Sequence, residues 1–250
     1  MSDTRFLGII PARFASTRFP GKPLVKIGGK MMIQRVYEQV KDSLDEVYVA
    51  TDDLRIYEAV KSFGGQVVMT SEQHKSGTDR CKEAWQKAAG DFDVVVNIQG
   101  DEPFIRPEQI ELLKTCFEVA NTEIATLIKP FTEADGLEAL RNRNTPKVVI
   151  NNNMEAIYFS RSVIPFLRNY DDSEWLTRHV YYKHIGLYAY RTDILQQITE
   201  LPVSLLEQAE SLEQLRWIEN GFKIKVAITH HETFGIDTPE DLSKAETMFI

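Results

Sequence analysis

The alternation of two hydrophobic periods constrains the fold of this chain more than any other feature of its sequence. Over the first half, short β-branched apolar runs alternate with stretches of helical period, a pattern typical of a mostly parallel sheet covered on both faces. The predicted strands are Phe6–Ala12, Val47–Thr51, Val67–Thr70, Val94–Gln99 and Ile124–Lys129. The predicted helices between them are Met31–Asp42, Leu54–Phe63, Thr78–Ala89 and Glu108–Val119. We therefore expect an α/β, doubly wound, mostly parallel sheet whose ligand cleft lies at the carboxyl ends of its strands.

The pattern changes between Pro130 and about Tyr190. Strands are predicted there at Lys147–Asn151, Ala156–Ser160 and His184–Tyr190, joined by hairpins or loops. We interpret 130–190 as a β-rich arm inserted into a single domain that spans 1–250. After the arm, the alternation of helices and strands resumes. The predicted elements are a helix at Leu205–Asn220, a strand at Lys223–Thr229 and a helix from Pro239. Apolar residues of the first of these helices are expected in the core: Leu206, Ala209, Leu212, Leu215 and Trp217.

Charge and targeting patterns exclude several classes of function. The net charge is −8, which argues against a nucleic-acid partner that needs a broad cationic surface. No apolar run approaches the roughly 20 residues of a membrane span, and the first residues lack the pattern of a signal peptide. A cytoplasmic protein without membrane contact is expected. Cys81 and Cys116 lack the paired spacing of a zinc or redox motif and are predicted to be buried free thiols.

The first strand is followed by a long loop that carries three cations, Arg13, Arg18 and Lys22. Guanidinium groups bind phosphate oxygens bidentately and a lysine adds a point charge, so such a loop suits a polyphosphate. The loop matches neither common glycine-rich phosphate motif. A solvated basic loop without a ligand is the alternative.

Two acids are predicted at the ends of strands. Asp101 follows the strand Val94–Gln99 directly after Gly100, a residue that allows close approach of the backbone to a ligand. Asp237 precedes the helix start Thr238-Pro239-Glu240-Asp241. Two carboxylates at one edge of a sheet can share Mg²⁺, which prefers oxygen ligands and usually retains phosphate and water. Alternatively, Asp237 only supports the neighbouring helix cap.

The run Ser76-Gly77-Thr78-Asp79-Arg80 begins a predicted helix. Ser76 and Asp79 have the spacing of a capping box, which explains them structurally. Arg80 lies in the first turn, where the helix dipole disfavours a cation unless an anion is nearby. This position suggests contact with a nucleotide.

Polar residues in and after the arm are candidates for binding a sugar acid. Arg161 could pair with a carboxylate, while His184, Tyr188, Glu213 and Gln214 could hydrogen-bond hydroxyl groups. Taken alone, a residue of each of these types more often packs in the core or lies on the surface than binds a ligand. The pair His230-His231 is not interpreted as a metal site, because adjacent strand residues point to opposite faces.

Taken in order, the motifs resemble the 3-deoxy-D-manno-octulosonate (Kdo) cytidylyltransferase, or CMP-Kdo synthetase, family. They run from Ile10 to Asp241: I-P-A-R-x-x-S-T-R-x-P-G-K-P-L, A-T-D-D, S-G-T-D-R, Q-G-D-E-P, Y-F-S-R, H-x-G-x-Y, L-E-Q-L-R and G-x-D-T-P-E-D. The first motif is shared with CMP-sialic acid synthetases, whereas Q-G-D-E-P and D-T-P-E-D favour the Kdo branch. Phe166 stands where the family usually has Trp, and Leu205 where it often has Pro.

The resemblance implies a Rossmann-like nucleotidyltransferase that transfers CMP from CTP to the anomeric hydroxyl of Kdo and releases pyrophosphate, for lipopolysaccharide biosynthesis. It also implies Mg²⁺ and a homodimer in which the arm contributes to the interface. The implied catalytic residues are Arg13, Lys22, Asp101 and Asp237, of which Asp101 and Asp237 bind the metal. The implied nucleotide-binding residues are Arg13, Ser16, Arg18, Lys22, Ser76, Gly77, Arg80, Gly100 and Asp101. The implied residues for the sugar acid are Gln99, Arg161, His184, Tyr188, Glu213 and Gln214.

Three other functions stay open on the sequence. A CMP-sialic acid synthetase-like enzyme would use another sugar acid, and an amino-substituted Kdo is a further possible acceptor. A nucleotide-sugar glycosyltransferase of similar fold would consume an activated sugar without releasing pyrophosphate. A nucleotide-sensing domain would keep the binding site and lack the chemistry. A pyrophosphate-release assay with CTP, magnesium and a small panel of 2-keto sugar acids separates these hypotheses.

Overall fold

A computed structural model describes residues 4–15, 19–119, 121–232 and 234–247. The chain forms two compact units. The first contains Met1–Glu111, Ala189–Thr199 and Thr233–Ile250, and the second contains Leu112–Tyr188 and Glu200–Glu232. Within the described residues, no helix is long and apolar enough to cross a membrane.

The first unit alternates strands and helices. In chain order its elements are β1 (Phe6–Ala12), β2 (Lys26–Ile27), β3 (Lys30–Met31), α1 (Met32–Val40), β4 (Glu46–Thr51), α2 (Leu54–Ser62), β5 (Gln66–Met69), α3 (Gly77–Lys87) and β6 (Val94–Asn97). Helix α4 (Pro107–Thr115) begins in this unit. Later segments add α7 (Thr192–Ile198) and α10 (Pro239–Thr247). The predicted strands and helices of this part are confirmed, with ends that differ by at most four residues.

Parallel pairing fixes the order of the strands in this unit. Strand β1 pairs in parallel with both β4 and β6, and β4 pairs in parallel with β5. Leu7 and Ile9 of β1 point to one face of the sheet and Ile10 points to the other. All three are completely buried, so both faces of the sheet are covered. The doubly wound arrangement is confirmed, and the residues that follow β1, β4 and β6 begin at one edge of the sheet.

The second unit is richer in antiparallel pairs. Its elements are β7 (Ile124–Pro130), α5 (Gly136–Arg141), β8 (Lys147–Ile150), β9 (Ala156–Ser160), α6 (Trp175–Arg178), α8 (Leu205–Glu210), α9 (Gln214–Glu219) and β11 (Ile224–Ile228). Strand β10 (Tyr182–Arg191) begins here and ends in the first unit. Strand β8 pairs antiparallel with β9 and with β10, as expected for hairpin-like connections, while β7 pairs in parallel with β11.

The prediction of one helix over Leu205–Asn220 is wrong. Ser211 adopts a left-handed backbone conformation (φ 51°, ψ 50°), which ends α8 and separates it from α9. A capping box between Ser204 and Glu207 begins α8. Because of this break, Ala209 is exposed rather than in the core, whereas Leu212, Leu215 and Trp217 are buried as predicted.

The two cysteines are free and buried, as predicted. Burial raises the pKa of the Cys116 thiol to about 11, because the thiolate would lose its hydration. This thiol is therefore inert at neutral pH.

Candidate active site

The lysine of the first loop lies between the two predicted acids. Nζ of Lys22 is 2.6 Å from Oδ2 of Asp101 and 3.0 Å from Oδ1 of Asp237. These partners are 79 and 215 positions away in the sequence. The amide of Ile236 donates to the carbonyl of Asp101 at 2.9 Å and holds the two acidic segments together. The structure thus brings three predicted catalytic residues into one group.

Local backbone geometry presents these side chains. Gly21 has a left-handed conformation (φ 72°) and starts the 3₁₀ turn Lys22–Leu24. Gly100 leaves room for its neighbour, because a Cβ atom there would lie 2.9 Å from the carbonyl oxygen of Pro11. The need for glycine at position 100 is therefore explained by packing against β1, and its contact with a nucleotide stays a prediction.

The charge balance of the group favours a cation between the carboxylates. Burial alone would lower the pKa of Lys22, but the charges and hydrogen bonds of Asp101 and Asp237 outweigh it and raise the pKa. The helix cap that could have explained Asp237 is built by other groups, since Thr238 and Asp241 exchange hydrogen bonds of 3.0 and 3.2 Å. The carboxylate of Asp237 instead accepts from Lys22.

The same two carboxylates fit a hard divalent cation. Both are oxygen donors that already converge on one positive charge, the Lys22 ammonium. No cluster of three or more His, Cys, Asp or Glu side chains suited to a metal occurs among the described residues. A metal held by Asp101 and Asp237 would therefore complete its shell with water and phosphate, as Mg²⁺ commonly does.

Arg13 follows β1 and is held by backbone carbonyl groups. Its Nη2 donates to the carbonyls of His74 at 2.5 Å and Ser76 at 3.4 Å. Burial and the neighbouring charge of Arg80 lower the pKa of Arg13. The charges of Asp52 and Asp79 oppose part of this shift, and a bound phosphate would oppose it further.

The loop that holds Arg13 is itself tied to α3. Glu83 accepts hydrogen bonds from the amide of Ser71 at 2.9 Å and from Lys87 at 2.6 Å, and it pairs with the ring of His74. Burial opposes ionisation of Glu83, but these hydrogen bonds outweigh it and lower the pKa to about 2. The sequence suggested no role for His74, and its link to Glu83 positions the carbonyl that binds Arg13.

Arg80 is completely buried at the start of α3. It donates to Oδ2 of Asp52 at 2.6 Å and to Oγ1 of Thr70 at 2.5 Å. Its position in the first helical turn predicted a nearby anion, and that anion is the carboxylate of Asp52. The capping box of Ser76 and Asp79 is confirmed.

Some predicted residues lie outside this group. Ser16 and Arg18 fall outside the described residues. Gln99 is exposed just after β6, and Gly77 is the first residue of α3. Their binding roles stay predictions.

In the second unit, Arg161 is fixed by three backbone carbonyl groups. Nε donates to Glu210 at 2.6 Å, Nη1 to Arg143 at 2.9 Å and Nη2 to Ser211 at 3.2 Å. The carboxylate of Glu210 also accepts from the amide of Arg161 at 2.9 Å. The guanidinium is therefore oriented in advance, and these bonds leave further N–H groups for a carboxylate ligand.

The other sugar-acid candidates of this unit lie on β10 and α9. The rings of His184 and Tyr188 lie 5.1 Å apart, and Tyr188 packs edge-on against Trp217 of α9 at 5.2 Å. Gln214, on the same helix, is buried, and its Nε2 has no hydrogen-bond acceptor among the described residues. A buried amide without an acceptor indicates a missing polar ligand or water. Glu213 is the N-cap residue of α9.

Comparisons with known proteins give the family. Residues 7–226 match the family profile described as cytidylyltransferase. A 3-deoxy-manno-octulosonate cytidylyltransferase of Parabacteroides distasonis is 69% identical over 242 residues, which cover 96% of each chain. The chain belongs to the 3-deoxy-manno-octulosonate cytidylyltransferase family. A second member, from Bacteroides thetaiotaomicron, is 67% identical over 97% of each chain.

A solved structure supports the same assignment for this cytidylyltransferase. CMP:2-keto-3-deoxy-manno-octonic acid synthetase complexed with CTP aligns over 98% of both chains, with a TM-score of 0.88 and 44% identity. The family resemblance, the nucleotidyltransferase fold and the enzyme class predicted from the sequence are therefore confirmed.

Sequence reasoning missed several side chains that contact the predicted residues within each unit. Asp52 lies in the A-T-D-D motif, so the anion required by Arg80 could have been sought there. Glu83 is spaced four residues from Lys87, which by itself indicates only a surface ion pair. Glu210 carried no local signal, because its partners lie about 50 residues away on β9.

Proposed function

We propose that this cytidylyltransferase transfers CMP from CTP to the anomeric hydroxyl of Kdo and releases pyrophosphate. The observation that carries the proposal is the group of Lys22, Asp101 and Asp237, which combines a cation suited to a triphosphate with two acids suited to a metal ion. The names of the curated relatives and the CTP complex of the related synthetase support the choice of both substrates.

The predicted roles follow from the chemistry of the side chains. Arg13, Arg18 and Lys22 carry the positive charge for the triphosphate, and Asp101 also faces the nucleotide. Further nucleotide contacts are proposed for Ser16, Ser76, Gly77, Arg80 and Gly100. Contacts with the sugar acid are proposed for Gln99, Arg161, His184, Tyr188, Glu213 and Gln214. Arg161 is suited to the carboxylate, because its fork is already oriented by carbonyl groups.

The reaction is an in-line displacement at phosphorus. The anomeric hydroxyl oxygen of Kdo forms a bond to the α-phosphorus of CTP, and the bond from that phosphorus to the pyrophosphate oxygen breaks. The hydroxyl proton is lost to solvent or base. Arg13 and Lys22 stabilise the negative charge that develops on the leaving pyrophosphate.

Asp101 and Asp237 would hold the magnesium ion. When bound, Mg²⁺ supplies charge neutralisation on phosphate and lowers the pKa of a coordinated hydroxyl group. Lys22 already places a positive charge between these two carboxylates, which offsets their mutual repulsion before any metal binds.

The cellular setting is part of the same proposal. We expect a cytoplasmic homodimer that supplies activated Kdo for lipopolysaccharide and acts without contact with membrane or nucleic acid. The predicted arm, about 130–190, would contribute to the dimer interface. It carries an exposed aromatic side chain, Phe166, which packs edge-on against Trp175 at 5.5 Å.

A pyrophosphate-release assay tests the function. The protein is incubated with CTP, Mg²⁺ and one of Kdo, an amino-substituted Kdo or sialic acid. We expect release with Kdo. Release with sialic acid alone would reassign the enzyme to the sialic acid branch, and no release with any acceptor would overturn the proposed chemistry.

Replacing Asp101 tests the metal-binding role. Asp101→Asn keeps the shape of the side chain but removes its charge, so kcat should fall by about 100-fold or more. The dissociation constant of CTP should change by less than about fivefold, because the cations of the first loop are retained. Asp193→Asn, at an exposed acid of α7, is the matched control and should leave kcat unchanged. Near wild-type turnover of Asp101→Asn would remove this residue from the mechanism.

A further inference from the structure

A buried threonine contacts one of the proposed sugar-acid residues. Thr126 of β7 is completely buried, and its Oγ1 lies 3.1 Å from Nε2 of His184. The same oxygen lies 2.8 Å from the carbonyl oxygen of Leu187 and 3.2 Å from that of Ile185. One hydroxyl group therefore has three polar neighbours, all on β10.

The number of available protons decides how these contacts are shared. A hydroxyl group has one proton and two acceptor lone pairs, while a carbonyl group can only accept. The closest carbonyl, that of Leu187, takes the hydroxyl proton of Thr126. Nε2 of His184 must then donate to Oγ1, so it carries the ring hydrogen. In a neutral imidazole this leaves Nδ1 as an acceptor.

The surroundings of the ring keep it neutral. Phe159 packs edge-on against it at 5.2 Å and Tyr188 lies 5.1 Å away on another side. Burial lowers the pKa of His184 to about 3, because the imidazolium form would lose its hydration. Residue 184 nevertheless keeps some exposed surface.

We propose that Thr126 is a positioning residue that fixes His184 as the Nε2–H tautomer, so that Nδ1 accepts a hydrogen bond from a hydroxyl group of the sugar acid. The proposal rests on the proposed function, since it assigns the chemical group that His184 recognises. Loss of the Thr126 hydroxyl frees Nε2 and allows the ring to change to the Nδ1–H form, which presents a donor instead of an acceptor.

This assignment divides the recognition of the ligand between two side chains. A neutral acceptor disfavours a carboxylate, because two acceptors repel each other, and selects a hydroxyl group that can donate. Arg161 has the complementary chemistry and takes the carboxylate. A hydroxyl-bearing acid therefore satisfies both residues, and an acid without the matching hydroxyl leaves Nδ1 without a donor.

Steady-state kinetics tests the proposal with three variants. Thr126→Val has nearly the same shape and should raise the KM for Kdo about tenfold, with the KM for CTP within about twofold of wild type. Thr126→Ser keeps the hydroxyl and should restore the wild-type value. Thr122→Val removes another buried hydroxyl, which donates to the carbonyl of Cys116 at 2.7 Å, and is the matched control without an expected effect. An unchanged KM for Kdo in folded Thr126→Val would overturn the proposal.

Nitrogen-15 NMR of the imidazole rings gives a readout that does not depend on turnover. In wild-type protein, Nε2 of His184 should have the shift of a protonated nitrogen and Nδ1 that of an unprotonated one, without titration between pH 5 and 9. Addition of Kdo should move the Nδ1 resonance. A protonated Nδ1 in the free protein, or no response of Nδ1 to bound Kdo, would contradict the proposal even if Thr126→Val fails to fold. Absence of pyrophosphate release with the expected tautomer present would instead count against the proposed function.

Discussion

Lys22 is expected to affect the binding of two proposed ligands, the triphosphate and the metal ion. Its ammonium group lies within 3.0 Å of both acids that we assign to the metal. At that distance a positive charge opposes the binding of a second cation, although partial exposure to solvent weakens the effect. In the working enzyme, the triphosphate would bind the Lys22 ammonium group, and the carboxylates would then be available to the metal.

Substitution of Lys22 separates these two effects. We expect Lys22→Met to bind Mn²⁺ about tenfold more tightly in the absence of nucleotide, because the competing ammonium group is gone. The same variant should have a lower kcat/KM for CTP, since the cation proposed to bind the triphosphate is lost. Calorimetric titration with Mn²⁺ measures the first effect, with Lys26→Met, at an exposed lysine of β2, as the control. Unchanged Mn²⁺ affinity in Lys22→Met would mean that the ammonium group does not compete with a metal.

At the level of elements, the connection from β5 to α3 holds the loop cation in place. Glu83 fastens both Ser71 and His74, and the carbonyl of His74 accepts from Arg13. The orientation of the Arg13 guanidinium therefore depends on a carboxylate that lies on α3, that of Glu83. Such an indirect contact is expected to change affinity for CTP more than the rate of the chemical step.

Glu83→Gln tests this connection. We expect the KM for CTP to rise about fivefold and kcat to stay within about twofold, because the loop loses its carboxylate partner while the reacting groups are unchanged. Lys87→Met is the matched control, since it removes the ion pair between Lys87 and Glu83 and leaves His74 in contact with Glu83. In an Arg13→Lys background the effect of Glu83→Gln should disappear, because both changes act through the same guanidinium. Additive effects in the double variant would show that Glu83 does not act through Arg13.

At the level of the whole molecule, the proposed homodimer concerns the predicted arm. Phe166 is 71% exposed, although it is a large aromatic residue in contact with the buried Trp175. Exposed aromatic side chains on a packed base are common anchors of protein interfaces. An interface between two copies would bury this side chain.

Phe166→Glu should raise the dissociation constant of the dimer at least about tenfold, because a charge replaces an apolar anchor. Sedimentation equilibrium measures this constant. Leu54→Glu is the control, since Leu54 is 68% exposed on α2 and lies outside the arm. A monomeric wild-type protein would refute the homodimer, and a dimer that resists Phe166→Glu would place its interface elsewhere.

Much of the fold could be predicted because its signals are local. The buried strand Phe6–Ala12 and the capping box of Ser76 and Asp79 depend on residues within a few positions of one another, and both are confirmed. The break at Ser211 could not be predicted. Both halves of Leu205–Asn220 have helical composition, and only the packing of the chain places a left-handed residue between them.

The sequence by itself determined the alternation of strands and helices, the family motifs and the residue types that we propose for binding the two substrates. Only the tertiary structure decided which residues these side chains contact. The ammonium of Lys22 meets acids 79 and 215 positions away, and the hydroxyl of Thr126 meets an imidazole 58 positions away. Periodicity and capping act over one or two turns of chain, whereas these contacts depend on how strands distant in sequence pair and where their ends meet.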